Sequence, residues 1–333
     1  MSAGPGDSVP QQPPIFRDTR DLTPFRKELI RTPVRGFTGG VSGMVSAVLA
    51  GRARGTLIAE GGFPPLGKVA GRSAGKAAKA VHPAVVGSTD PDRLIGLARQ
   101  FPDWAGLCYL MAGLLAYSHG GYLRASELLR RGLSVRNDDA ANSYASQYLA
   151  RVLTRVEVAE RVEVPVLFSE EAVFLALSHA LRETGQTEAA LAALTGLPPS
   201  LPMALARCSL AAALGRDADV AADTEGLLNG DDLSAALLLV RARSLRKLGD
   251  YRAAREALQE VLRRRKTDFT LRSDALTDRA LLLLDNSRKS LSPREWQRRK
   301  PAELEAVKAI RKDAEMHELW DRDYGRAAEG DGG

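Results

Sequence analysis

The sequence predicts an all-α protein built from antiparallel helix pairs. Only 5% of its 333 residues are aromatic although 44% are hydrophobic, and the abundant alanine, leucine and arginine favour helices. Apolar residues recur on one helical face on both sides of Gly249, a residue suited to a tight turn. The length allows one large or two ordinary domains. The apolar positions are Leu238, Ala242, Leu245 and Leu248 before this turn, and Ala254, Leu258, Val261 and Leu262 after it.

The N-terminal residues are predicted to form a tail and an arm. Residues 1–35 are rich in proline, glycine and polar residues, which indicates a disordered tail. Residues 36–89 form a basic, Gly/Ala-rich arm or linker in which small residues recur four positions apart. This spacing suits a helix that packs closely or lies on a membrane surface. The glycine content equally suits a flexible linker, so both interpretations remain open.

Positive charge is concentrated in the same region. Residues 1–82 carry 12 basic and 5 acidic side chains, whereas residues 83–333 carry 35 basic and 36 acidic ones. The arm is therefore expected to attract an anionic membrane, a nucleic acid or an acidic protein surface.

No group of residues predicts catalysis or metal binding. The segment Gly71–Lys76 has three residues between its glycines and is followed by Ala77, so it does not match a phosphate-binding loop. The four histidines are dispersed, without neighbours at metal-ligand spacing. Cys108 and Cys208 are expected in the core. We therefore predict no enzyme activity, cofactor, metal or small-molecule substrate. An enzymatic function would require a deep polar pocket within residues 140–170.

The helical repeats are predicted over residues 90–290, beginning where Asp90 can cap a helix that has Pro91 in its first position. Turn glycines follow at intervals of 65, 30 and 34 residues. One turn is therefore missing near Arg155, where the pattern indicates a long helix from Asn142 to Val162 and a degenerate repeat. The turn glycines are Gly120, Gly185, Gly215 and Gly249.

The C-terminal part is predicted to cap these repeats. The segment Ser292–Glu295 has the composition of a capping box, with proline at the first helical position. Capping helices are expected over residues 291–325 and a disordered tail over 326–333. The basic runs 263–266 and 298–300 suit solvated helix ends, with nucleic-acid or acidic-partner contact as the alternative.

The best-preserved turn carries a family resemblance. Ala242 and Leu245 precede Gly249–Tyr251, Ala254 follows, and a second Gly-x-Tyr turn lies at Gly120–Tyr122. This pattern resembles the tetratricopeptide repeat family in a degenerate form. The resemblance implies an α-solenoid of helix pairs that binds other proteins.

In that family the first helix of each pair lines a concave groove, which implies a set of partner-binding residues here. The groove would be apolar and aromatic at one end and basic at the other, and it would suit a peptide with acidic residues. The alternative is that the N-terminal segment or the next repeat packs against these side chains. The implied residues are Leu110, Leu114, Tyr117, Tyr144, Tyr148, Arg151, Leu175, His179, Arg182, Arg243, Arg246 and Lys247.

Two functions are compatible with these predictions. The first is a scaffold or adaptor that binds a partner peptide or protein in the groove. The second is a recruitment factor that associates with a membrane or nucleic acid through the basic arm. Without a secretory signal or an apolar run of about 20 residues, we expect a cytoplasmic protein, with peripheral membrane contact as an option.

Overall fold

The computed structural model divides into two compact units, which are treated separately. The N-terminal unit holds the described residues up to 197, and the C-terminal unit holds those from 200 onward. The predicted tails, the first part of the arm and most of the predicted capping helices lie outside the described residues. The structure describes residues 55–69, 71–160, 162–195, 197, 200–302, 305 and 309.

The N-terminal unit is mainly helical. Its helices are α1 (Arg72–Gly87), α2 (Pro91–Gln100), α3 (Ala105–Ser118), α4 (Tyr122–Ser134), α5 (Asp139–Tyr144), α6 (Glu170–Glu183) and α7 (Thr187–Ala193). The pairs α3–α4 and α6–α7 turn at Gly120 and Gly185, whose φ angles of 76° and 78° confirm the predicted glycine turns. Helix α6 packs on α4, so one pair stacks on the next.

Helix α3 is the centre of this unit, because every residue from Ala105 to Tyr117 is buried. Two glycines let it approach α4 closely. A Cβ atom on Gly113 would lie 2.7 Å from the side chain of Leu129, and one on Gly132 would lie 2.7 Å from the side chain of Leu110. Each leucine therefore fills the space that a side chain on the facing helix would need.

A small sheet replaces the predicted missing repeat. Its strands are β1 (Ile58–Ala59), β2 (Val152–Ala159) and β3 (Val162–Leu167), antiparallel and in that order. The predicted long helix from Asn142 to Val162 is wrong, because α5 ends in a π-helical turn (Ala145–Leu149) and the chain then enters β2. The reason is visible in the sequence: valines alternate with polar residues here, and β-branched side chains at period two favour a strand.

The C-terminal unit repeats the helix-pair architecture. Its helices are α8 (Leu201–Ala213), α9 (Asp217–Asp223), α10 (Asp232–Leu248), α11 (Tyr251–Arg263) and α12 (Phe269–Ser290). Gly215 and Gly249 form the turns, with φ angles of 74° and 84°. Helix α10 packs on α8 and α9, and α12 packs on α10 and α11.

The last described helices of this unit include the predicted capping box at Ser292–Glu295. Helix α12 continues to Ser290. A further helix covers residues 293–302. It starts with the predicted capping box, in which the main-chain N–H of Glu295 donates to Oγ of Ser292 and the main-chain N–H of Ser292 donates to Oε2 of Glu295, at 3.3 and 3.1 Å.

The predicted fold class, helix pairs that stack as in a solenoid, is thus confirmed within each unit, and the three-stranded sheet is an addition to it. The arm differs from a flexible linker over its described part. Strand β1 lies in it, and α1 buries Ala78, Val81 and Ala84 completely. Residues 55–69 and 71–87 therefore belong to the folded N-terminal unit.

Candidate functional site

The apolar end of the implied groove is the interior of the N-terminal unit. None of its seven apolar, aromatic or histidine side chains is more than 6% exposed. These residues therefore form a core and offer no open surface to a partner while that core is closed. They are Leu110, Leu114, Tyr117, Tyr144, Tyr148, Leu175 and His179.

Part of this core is covered by residues 55–69, which we call the strap. The strap contains β1 and a turn at residues 60–61, and it buries Leu57 and Ala59. Its main-chain atoms make most of the polar contacts. The N–H of Glu60 donates to the Arg151 carbonyl at 2.8 Å, and the N–H of Gly67 donates to the Tyr148 hydroxyl at 3.0 Å.

Strand β1 also holds the strap through the sheet, and His119 fixes its start. Ile58 lies opposite Leu153, and Ala59 lies opposite Val152. Nε2 of His119 donates to the carbonyl of Gly55 at 2.7 Å. Gly55 has a φ of 63°, and a Cβ atom there would come within 2.5 Å of the His119 ring, so only glycine fits this contact.

A small cavity of about 30 Å³ remains beneath the strap. This volume holds about one water molecule. Among the residues that the structure describes, no group of side chains could hold a metal ion. The cavity is lined by Thr56, Leu57, Ile58, Leu114, Tyr117, Ser118, Leu153, Thr154 and Arg155.

An aromatic cluster contacts the strap through Tyr148 and His82. The rings of His82, Trp104, Tyr144 and Tyr148 have centroids 5.0–6.0 Å apart, and Nδ1 of His82 shares a hydrogen bond of 2.9 Å with the Tyr144 hydroxyl. Burial lowers the pKa of His82, and a hydrogen bond to the Pro64 carbonyl opposes this in part. The strap and α1 are therefore connected to α5 through this cluster.

A buried histidine lies among tyrosines elsewhere in this unit. The rings of Tyr117, Tyr122 and His179 have centroids 5.2–5.6 Å apart. Burial is the main cause that lowers the pKa of His179, and the Arg182 charge adds to it, whereas the carboxylates of Glu157 and Glu183 oppose it.

The remaining basic residues of the implied groove lie on the surface or at its edge. Arg151 is exposed, and Arg182 is half-buried between Glu157 and Glu183 at 2.9 and 3.1 Å. On α10, Nε of Arg243 lies 2.6 Å from Oδ2 of Asp278.

The other two basic residues of α10 are paired in the same way. Nε of Arg246 lies 3.5 Å from Oδ2 of Asp285, and Nζ of Lys247 lies 3.2 Å from Oδ1 of Asp217. The positive charge expected on α10 is therefore balanced within the unit. The aspartates of α12 recur at helical spacing, and this pattern could have indicated that they face α10.

Comparison with known proteins does not assign this chain to a family. No protein-family model matches the chain, and no curated protein matches it significantly. Among solved structures, the N-terminal domain of the EccA1 ATPase from the ESX-1 secretion system of Mycobacterium tuberculosis aligns with a TM-score of 0.45 and 16% sequence identity, over 73% of this chain and 89% of that chain. Among the described residues, no helix is long and apolar enough to cross a membrane.

Proposed function

We propose that the chain is a non-enzymatic protein-interaction module whose N-terminal unit binds an extended peptide beside β2, in the position that the strap occupies. The observation that carries this proposal is the strap itself, an extended segment already bound there through main-chain hydrogen bonds. Binding of this kind adds a strand to a sheet and depends little on the side chains of the added segment.

The strap occupies only part of the strand edge. In the described sheet, β1 pairs with two of the eight residues of β2. A partner segment with a longer extended stretch could form more main-chain hydrogen bonds than β1 does, and it would displace the strap for that reason. Departure of the strap would also uncover Leu114 and Tyr117, which line the cavity beneath it.

The strap indicates the chemistry of a suitable partner. Its buried positions are Leu57 and Ala59, with exposed or half-buried residues between and around them. A partner peptide should therefore alternate apolar and polar residues in an extended conformation. An acidic partner is not favoured by the basic residues of α10, because aspartates already pair with them.

A disulfide that joins β1 to β2 tests the proposal, because it prevents the strap from leaving. The double variant Ile58→Cys/Leu153→Cys places cysteines at directly opposed positions of β1 and β2. The probe is a fluorescent peptide with the sequence of residues 55–69. We expect the oxidised variant not to bind the probe and the reduced variant to bind it as the wild type does. Equal binding by both forms would contradict the proposal.

A second variant is designed to release the strap from the core. Leu57→Asp places a charge at a position that is 5% exposed, so it should release the strap and tighten probe binding about tenfold or more, because less of the protein is occupied by its own segment. Leu123→Ala, at a side chain that is 61% exposed, is the matched control and should bind the probe like the wild type. Weaker binding by Leu57→Asp at retained helicity would also contradict the proposal.

A further inference from the structure

Helix α1 has two faces of opposite character. One face buries Ala77, Val81 and Ala84 in the N-terminal unit. The other face is exposed and carries Arg72, Lys76 and then Lys79 one turn further on. These spacings of four and three residues place the three charged groups in one row along the helix.

The row of charge extends beyond the helix. Lys68, at the end of the strap, is exposed as well. The sequence has no acidic residue between Glu60 and Asp90, and within the described part of the chain no carboxylate forms a salt bridge with any of these four basic side chains. This contrasts with α10, where each basic residue of the implied groove contacts an aspartate.

The residue types distinguish one anionic partner from another. Three of the ten lysines of the chain lie within residues 68–79, although arginine is far more frequent elsewhere. Lysine acts as a point charge near an anionic surface, whereas arginine is preferred for bidentate contacts with phosphates and bases. Exposed Pro83 and Val86 continue the same face, so apolar side chains accompany the charge, as on helices that lie on membranes.

We propose that the exposed face of α1, together with Lys68, is a docking surface for an anionic lipid bilayer. The sequence that precedes the strap strengthens this assignment, because residues 1–54 carry 8 basic and 4 acidic side chains. Each basic residue close to an anionic membrane contributes about 1 kcal/mol, so four of them correspond to roughly a thousandfold in affinity at low salt.

Vesicle co-sedimentation of the full chain tests this surface. The probes are phosphatidylcholine vesicles with and without about 30 mol% phosphatidylserine, at low and at physiological salt. We expect binding only to the anionic vesicles, weakened by salt. The triple variant Lys68→Gln/Lys76→Gln/Lys79→Gln should lose about a hundredfold or more of this affinity, because three of the four charges are removed.

A matched control removes the same net charge elsewhere. Arg265, Lys266 and Lys300 are exposed residues of the C-terminal unit, and the triple variant Arg265→Gln/Lys266→Gln/Lys300→Gln should keep most of the vesicle binding. Equal losses in the two triple variants would overturn the proposal, because only net charge would then matter. Tighter binding to duplex DNA than to vesicles, lost with the same three lysines, would overturn it in favour of a nucleic acid.

Discussion

The Tyr117 hydroxyl and Nδ1 of His179 share a hydrogen bond of 2.5 Å inside the N-terminal unit. The histidine side chain is 5% exposed, and its Nε2 lies 3.4 Å from a carboxylate oxygen of Glu183. Tyr122, Arg182 and Glu157 complete its surroundings. Burial dominates this environment, so the neutral imidazole is the form that the folded protein favours.

This relationship predicts a loss of stability in mild acid. The folded protein has a pKa for His179 below the usual 6.5, so the unfolded chain takes up the proton first as the pH falls. The unfolding free energy should therefore be constant above about pH 7.5 and decrease as the pH falls below about 6.5. The pKa of His82 is also lowered, and His82 contributes in the same direction. Urea denaturation followed by circular dichroism measures the effect.

The variant His179→Gln separates this effect from general acid sensitivity. Its unfolding free energy should decrease less between about pH 7.5 and 5.5 than that of the wild type, whatever its absolute stability. Leu123→Ala, at a side chain that is 61% exposed, removes no titratable group and should keep the wild-type pH dependence. An equally steep decrease in His179→Gln would show that the buried histidine is not responsible.

Gly132→Ala should destabilise the protein despite the higher helix propensity of alanine. The new Cβ would lie 2.7 Å from the side chain of Leu110 and 2.9 Å from its main-chain nitrogen. Overpacking of this kind costs about 1–3 kcal/mol. Because a main-chain atom cannot move aside easily, we expect a cost in the upper part of this range, which outweighs the propensity gain of about 1 kcal/mol and lowers the unfolding free energy. Gly96→Ala is the control, because this exposed helical glycine has no neighbouring atom within 4 Å of the new Cβ. It should be neutral or stabilising, and equal effects of the two variants would refute the close approach of α3 and α4.

Asn229→Ala should weaken the C-terminal unit. The side-chain Nδ2 of Asn229 donates to the carbonyls of Glu260 and Val261 and to Oγ1 of Thr267, at 3.2, 3.0 and 3.1 Å. Truncation removes all three of these hydrogen bonds, two of which are buried, so the unfolding free energy should fall by about 1–3 kcal/mol. Leu228→Ala, at the neighbouring 55% exposed side chain, should change stability by less than about 0.5 kcal/mol. Thermal unfolding compares the stabilities of the two variants. A loss of stability in Leu228→Ala as large as that in Asn229→Ala would show that the Asn229 hydrogen bonds are not the cause.

Both cysteines should resist alkylation in the folded protein. Burial raises the pKa of Cys108 and Cys208 to about 12, and only the thiolate reacts readily. Mass spectrometry after iodoacetamide treatment at about pH 8 should find no modification in buffer and two modified cysteines in urea. Ser134→Cys, which adds a thiol at an exposed position, should be modified once in buffer. Rapid native modification of the wild type would contradict the burial of both residues.

The turns and the helix pairs could be predicted from the sequence because they depend on neighbouring residues. The glycines at positions 120, 185, 215 and 249 each adopt a positive φ, which is a local requirement. The sequence left open whether the implied groove is exposed or covered by the N-terminal segment, because this depends on contacts with the strap, which lies tens of positions before α3. One signal was available: the stretch Ala105–Tyr117 has no charged residue, as expected of a helix buried on all sides.

Two further features differ from the prediction, one because of contacts between distant residues and one because of a local pattern. The aspartates of α12 neutralise Arg243 and Arg246 on α10 only because the fold brings these helices together. The predicted helix from Asn142 to Val162 wrongly includes β2. The tyrosine-containing first part of that segment does have helical spacing, and in the structure it forms the end of α5 and the π-helical turn. Period-two alternation of the valines that follow is the better guide to residues 152–167.

The pairing of β1 with β2 also sets the order in which this unit can fold. Ile58 and Leu153 are partners although they are 95 positions apart in the chain, and closing so long a loop is slow compared with helix formation. During synthesis the helices up to α4 can form well before β2 has left the ribosome. Until then the strap lacks its partner in the sheet, so nascent chains that end before residue 152 should expose the side chains beneath the strap more than the full chain does and should bind chaperones more readily.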